Sequence, residues 1–274
     1  MRTTAPRRAG TPNTAILLVL LVSSACSGVS EENRGRSQRE YELAVSLYRD
    51  ERNVRSALVA LERSLQLDPE NAEAHLLVGQ LYGESELYER AEPHLRRAVE
   101  LFTRIAADDP EKIARLDEAK NSLGAALVNL NRAQEALPVL REVVADVHYQ
   151  SPHLALGNLG MAYIALHQYR QAVEVLQRAV SVRPDFCVGQ YRLGEAYLRL
   201  NDDAHALESL DRALNNPAQG CNRIQQALRA RGEVHVHLHH PDPAREDFTH
   251  CRDLSPNSRD GQECAAQLRT AEGP

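Results

Sequence analysis

The chain has 274 residues, a formal net charge of −6 and 26% charged residues. It has no Trp and only 4% aromatic residues, and no run of Lys or Arg interleaved with aromatics, which excludes a basic nucleic-acid-binding surface. A 43% hydrophobic content with so few aromatics fits a long thin core of small and aliphatic side chains better than one compact core.

Residues 1–25 read as an export signal. Arg2, Arg7 and Arg8 form a basic start, Ala15–Val22 is uninterrupted and apolar, and Ser23, Ser24 and Ala25 precede Cys26. The apolar run is too short to span a bilayer as a mature helix. The order of these features resembles a bacterial lipoprotein signal, although Ser23 stands where Leu is commonest in such signals. An ordinary cleaved signal with an incidental Cys is the other reading. The resemblance implies lipid attachment at Cys26, and Ser27 rather than Asp after it implies the periplasmic face of the outer membrane. Each buried methylene contributes about 0.8 kcal/mol, so two or three acyl chains anchor stably where one does not. Residues 26–38 are polar without apolar periodicity, and we read them as a lipidated tether.

Residues 39–257 carry one phrase six times. Its best copy is Leu159-Gly160-x-x-Tyr163 with Ala172, Leu176, Ala179 and Pro184. Before it stand Tyr41, Ala44, Tyr48, Ala57, Leu61, Ser64 and Pro69. Then come His75, Val78, Gly79, Tyr82, Ala91, Leu95 and Ala98, and after them Leu123, Gly124, Leu127, Ala136, Leu140 and Val143. Following the best copy are Leu193, Gly194, Tyr197, Ala206, Leu210 and Ala213, and a degraded copy at Gly232, His235, Ala244, Phe248, Cys251 and Pro256. From Ala57 to Ala244 the equivalent alanines are 34, 45, 36, 34 and 38 residues apart. The largest excess falls around Thr103–Ala119 and must sit in loops or helix extensions. The Gly removes a side chain where two helices cross, the alanines let the second helix lie close, and the Pro stops that helix. Glu233–His240 alternates like a strand, but the repeat frame makes it helical.

The phrase resembles the tetratricopeptide repeat, a 34-residue helix-turn-helix unit. That resemblance implies an all-α fold, a solenoid of about six helix pairs with a capping helix and tail over residues 258–274. It also implies a groove for another protein in place of a reactive centre. No Gly-x-Ser-x-Gly, phosphate-cradling Gly-rich loop or His-Glu-x-x-His occurs. We therefore expect no enzymatic activity, no cofactor and no small-molecule substrate.

Four cysteines follow Cys26: Cys187, Cys221, Cys251 and Cys264. An even number in an exported chain suggests two disulfides, for which three connectivities exist. The repeat frame favours Cys187–Cys221, at the starts of two stacked units, and Cys251–Cys264, where the last unit meets the cap. Buried free thiols are the alternative. No Cys-x-x-Cys spacing supports zinc, and His235, His237, His239 and His240 cannot share one helix face, so we expect no metal site.

Two stretches carry a narrower resemblance. Asp146-Val-His-Tyr-Gln-Ser-Pro-His153 running into Tyr163, and Phe248-x-x-Cys251-x-x-Leu254-x-Pro256-x-Ser258, are similar to the type IV pilus pilotins, which include the social-motility lipoproteins. The extended junction at Thr103–Ala119 and the Ser-rich cleavage site depart from that family. The resemblance implies a lipoprotein that brings secretin subunits to the outer membrane and promotes their assembly. A scaffold of the same anatomy serving β-barrel assembly, polysaccharide export or cell-wall machinery is the alternative. In these solenoids the first helix of each pair lines the concave face. Positions 2, 5, 9 and 12 then select Glu73, Leu76 and Gln80; Asn121, Ala125 and Val128; Leu154, Met161 and Ile164; and Tyr191, Glu195 and Leu198. The apolar part of this set, across the third to fifth units, is the expected partner-binding groove.

Overall fold

In the computed structural model, Met1 and residues 29–106, 109–216 and 220–271 are described. Cys26, Ser27 and the export signal lie outside the described residues. Thirteen helices and one 3-10 turn, at Cys221–Arg223, make up the described regular structure, and no strand occurs among the described residues. The helices form six antiparallel pairs: α1 (Glu31–Arg49) with α2 (Val54–Leu67), α3 (Ala72–Glu84) with α4 (Tyr88–Ala106), and α5 (Pro110–Asn129) with α6 (Ala133–Ala145). There follow α7 (Pro152–Ala165) with α8 (Tyr169–Val182), α9 (Cys187–Arg199) with α10 (Asp203–Leu214), and α11 (Gln225–His237) with α12 (Pro241–Leu254). The cap is α13 (Arg259–Ala271). This is the expected repeat solenoid.

The pairs are closed by one recurring contact. A Cβ built on Gly160 would lie 2.4 Å from Leu176 Cγ, so the α7–α8 crossing is closed to any side chain larger than hydrogen. Gly79 meets Leu95, Gly124 meets Leu140, Gly194 meets Leu210 and Gly232 meets Phe248 in the same way. The turn between the helices of each pair is held by a residue in the left-handed region: Arg52, Glu86, Asn131, His167, Asn201 and His239. At five of these turns the next amide donates back to the carbonyl five residues earlier, as Gln168 N–H does to Tyr163 O at 2.9 Å. That bond satisfies a helix-end carbonyl that would otherwise lack a partner.

The long junction is filled by helix. α4 has 19 residues and α5 has 20, and Leu101 and Phe102 bury the added turn of α4. Thr103 stands where other units carry Pro69, Pro184 or Pro256, so nothing stops α4 at the usual place.

The tether is shorter than expected, because α1 already begins at Glu31. Ser30 caps it by accepting from Asn33 N–H at 3.2 Å, and Glu31 and Glu32 complement the helix dipole. In its first turns the buried residue is polar, Ser37, which explains the missing hydrophobic period there. Ser37 Oγ lies 2.9 Å from Ser64 O, and Ser64 Oγ donates to Ser37 O at 2.9 Å. Both serines are fully buried, with Asn71 donating to each hydroxyl.

The C-terminal units are covalently tied. Cys187 bonds Cys221 across a separation of 34 residues, and Cys251 bonds Cys264 across 13, as the repeat frame favoured. The first link joins the start of α9 to the 3-10 turn before α11; the second pins α12 to α13.

Candidate protein-binding groove

Successive first helices pack on one another: α3 on α5, α5 on α7, α7 on α9, α9 on α11, and α11 on the cap α13. The second helices make no comparable run among the described residues. Closer approach on one side curves a stack toward that side, so the first helices line the inner face.

The floor of this face is more polar than the sequence frame suggested. At its N-terminal end Arg115 of α5 bridges Glu73 of α3 and Glu118 of α5, with Arg115 Nε 2.9 Å from Glu73 Oε2. Gln80 donates to Glu118 at 2.7 Å, and the Tyr41 hydroxyl donates to Glu73 at 3.4 Å. Burial, with Glu73 beside it, pushes Tyr41 up to about 12. These residues bound a recess of about 390 Å³ lined by Tyr41, Val45, Tyr48, Arg49, Arg52, Leu77, Gln80 and Arg115.

In the centre a rail of hydrogen bonds crosses three first helices. Asn158 Nδ2 donates to Asn121 Oδ1 at 3.0 Å, and Arg192 Nη1 donates to Asn158 Oδ1 at 3.3 Å. Arg192 also donates to the Gly157 carbonyl at 2.9 Å. Tyr149 sits in the α6–α7 connection, packed on Val143 and Ala155, and burial pushes its pKa up to about 12. The Asp146–His153 stretch thus delivers a buried tyrosine between the third and fourth units. His153 meanwhile packs edge-on against Phe186 with ring centroids 5.2 Å apart. At the C-terminal end Arg229 of α11 is held by Glu233 at 2.6 Å and by Asp260 of α13 at 3.0 Å.

Of the expected groove residues, Gln80, Ala125, Met161, Ile164 and Tyr191 are half-buried, and Leu154 is 40% exposed. Leu76, Val128 and Leu198 do not line the groove: they are 0%, 6% and 5% exposed and belong to the hydrophobic core. A helix packed on both neighbours leaves a narrower open stripe than four positions per unit, and these three side chains point into the seams. Asn121 is 8% exposed and acts through its hydrogen bonds. The frame missed Arg115, Tyr149, Asn158 and Arg192, and Glu118, at the second position of the third unit, was not among the residues named from it. Asn158 and Arg192 share the sixth position of their units, one residue beyond the position chosen. Arg115 lies on the added turn of α5, outside the repeat frame.

The C-terminal histidines diverge. His237 faces Asp203 at 3.1 Å, His239 forms the left-handed turn, and His235 lies 4.0 Å from Asp247. Among the described residues no three His, Cys, Asp or Glu side chains converge to hold a metal ion. A second depression of about 890 Å³ lies beside α2 and α4, with Leu58, Val59, Leu65, Val78 and Leu87 on its walls.

A sequence profile for the tetratricopeptide repeat matches residues 41–110 and 158–220. Among curated proteins, a BBSome complex member BBS4 homolog of Drosophila melanogaster is 25% identical over 65% of this chain and 41% of its own length. The Hsp70-Hsp90 organizing protein of Triticum aestivum is 31% identical over 36% of this chain and 16% of its own. The chain thus spans less than half of either relative. Among solved structures, the type IV pilus biogenesis factor PilW superposes with a TM-score of 0.64 at 21% identity, over 83% of this chain and 97% of that one. PilF of Pseudomonas aeruginosa gives 0.62 at 19%, over 86% and 100%. Both likenesses concern the fold. The pair-by-pair Gly–Leu crossings, the repeat profile and these superpositions together identify the chain as a tetratricopeptide-repeat solenoid, a fold whose general role is to bind other proteins.

Proposed function

We propose that this chain is a lipid-anchored scaffold that captures a secretin subunit and promotes its assembly at the outer membrane. The observation that carries the reading is the continuous inner face of first helices, open at Gln80, Ala125, Leu154, Met161, Ile164 and Tyr191. Its half-open apolar side chains suit an amphipathic helix or an extended segment of a partner. Two further observations support it. The fold is similar along most of its length to the type IV pilus biogenesis factor PilW. Two disulfides fit an oxidising compartment outside the cytoplasm.

The physical work required is small. A lipid on Cys26 holds the groove close to the inner leaflet, and a captured segment is concentrated at the membrane it must enter. No bond is made or broken in this step.

Two variants test the parts separately. Cys26→Ala is expected to fold with an unchanged circular dichroism spectrum and to move from the membrane pellet to the soluble periplasmic fraction. Retention in the outer membrane would reject the anchor. Replacing Leu154, Met161 and Ile164 together by Ser is expected to reduce co-purification of the secretin from detergent-solubilised envelopes. Undiminished capture would move the site off this face. Capture of a β-barrel assembly, polysaccharide-export or cell-wall component in place of a secretin would reject the secretin and keep the scaffold.

A further inference from the structure

Arg192 differs from the other half-buried arginines of the solenoid. Arg115, Arg229 and Arg231 each lie between two or more carboxylates: Glu73 and Glu118; Glu233, Asp260 and Glu263; Asp211 and Asp247. Arg192 has none within 4.0 Å among the described residues, and its partners are a backbone carbonyl, at Gly157, and the Asn158 amide oxygen. Both bonds are made by Nη1, so the Nε and Nη2 edge of the guanidinium carries no hydrogen-bond partner among the described residues. Glu195, one turn further along α9, lends a favourable field without forming an ion pair with Arg192.

The position is also enclosed. Gly157 leaves room for the Phe186 ring, from which a Cβ there would lie 2.9 Å, and the Arg192 guanidinium packs beside them at an ordinary contact distance of 3.6 Å from that Cβ position. Burial pulls the Arg192 pKa down against the more distant field of Glu195, while Arg115, Arg229 and Arg231, in contact with their carboxylates, are pushed up. A cation desolvated without a counter-ion is costly, and a carboxylate arriving with a partner relieves that cost through paired, charge-assisted hydrogen bonds.

We propose that Arg192 is the anion-receiving point of the groove, taking the side-chain carboxylate of an Asp or Glu in the bound segment, with apolar residues beside it meeting Met161 and Ile164. The inference rests on the groove reading above and adds the chemistry of the partner segment.

The test is a random 12-residue peptide library displayed on phage and selected on the purified full-length protein. Selected peptides are expected to carry Asp or Glu at one register position flanked by apolar residues. Arg192→Gln, with an unchanged circular dichroism spectrum and melting midpoint, is expected to weaken the best peptide at least about tenfold, the scale of one charge-assisted pair. Changing the peptide's acid to its amide is expected to weaken wild type equally and Arg192→Gln no further. Arg192→Lys, which keeps the charge but loses the fork, is expected to fall between and serves if Arg192→Gln does not fold. Four outcomes overturn the proposal: no acidic enrichment, no selected binder, equal affinity for wild type and Arg192→Gln, or binding abolished by amidating the C-terminus but not by the side-chain swap. The screen does not involve a secretin. Acidic selection without secretin capture keeps the inference and rejects the secretin reading; secretin capture undiminished by Arg192→Gln does the reverse.

Discussion

Asn158 of α7 and Asn121 of α5 share a hydrogen bond of 3.0 Å across the inner face, and Asn121 is 8% exposed. A buried amide is worth little when paired and costs about 1–3 kcal/mol when orphaned. Asn158→Ala is therefore expected to lower stability by about 1–2 kcal/mol, mostly by stranding Asn121 and freeing Arg192. A double-mutant cycle with Asn121→Ala, read by urea denaturation, is expected to show coupling of about 0.5–1.5 kcal/mol. Strict additivity would show the two amides to be independent.

Gly160→Leu is expected to damage the array far more than Arg170→Ala. The Cβ alone would overlap Leu176, and a full side chain must force α7 and α8 apart at a cost of about 1–3 kcal/mol or more. The midpoint of thermal unfolding by circular dichroism decides it. A midpoint equal to that of Arg170→Ala would mean that the crossing tolerates a side chain.

The two disulfides are expected to contribute roughly 2–4 kcal/mol each, concentrated in the C-terminal units. Peptide mapping without reductant is expected to recover the Cys187–Cys221 and Cys251–Cys264 pairs. Reduction is expected to raise amide exchange in α11, α12 and α13 before it does so in α7. Four free thiols, or a crossed pairing, would contradict the stacking register.

Asp117 gives the chain an unusual acid response. Burial and a shared hydrogen bond with Asp146 raise its pKa from 3.8 to about 6, with Lys120 opposing. The folded chain then binds this proton more tightly than the unfolded chain does. Its contribution to stability is full below about pH 4, declines as pH rises toward about 6, and stays low above that. Asp117→Asn is expected to be more stable than wild type at pH 7 and to lack this decline. Urea midpoints from pH 4 to 7 measure it; parallel curves for the two proteins would contradict the assignment.

What the sequence disclosed followed from spacing. The Gly–Leu pairs, 16 residues apart, mark the helix crossings of the second to fifth units, with Phe248 in the Leu place in the sixth, and the 34-residue step from Cys187 to Cys221 places two helix starts side by side. Features without a residue-type signal stayed hidden. Arg52, Glu86, His167 and His239 hold left-handed turns where Gly or Asn is usual, so nothing in their chemistry announces a turn. The start of α1 escaped notice because Ser37, not an apolar residue, occupies its buried face. The groove was half legible. Met161, Ile164 and Leu154 fall where the frame puts them, but the polar rail needs the angular offset between packed helices. One residue of error on a helix is about 100° of direction, enough to exchange Leu76 for a groove position and to overlook Arg192.

The measurement that bears most directly on the proposed function is the state of the secretin in a clean deletion of this gene. The account predicts that secretin monomers accumulate while the heat-resistant multimer on denaturing gels, and surface pili, are lost. Both are expected to return with the wild-type gene and only partly with the Leu154, Met161 and Ile164 triple variant. Normal multimers and pili in the deletion would contradict the secretin role and leave the repeat solenoid serving another envelope partner.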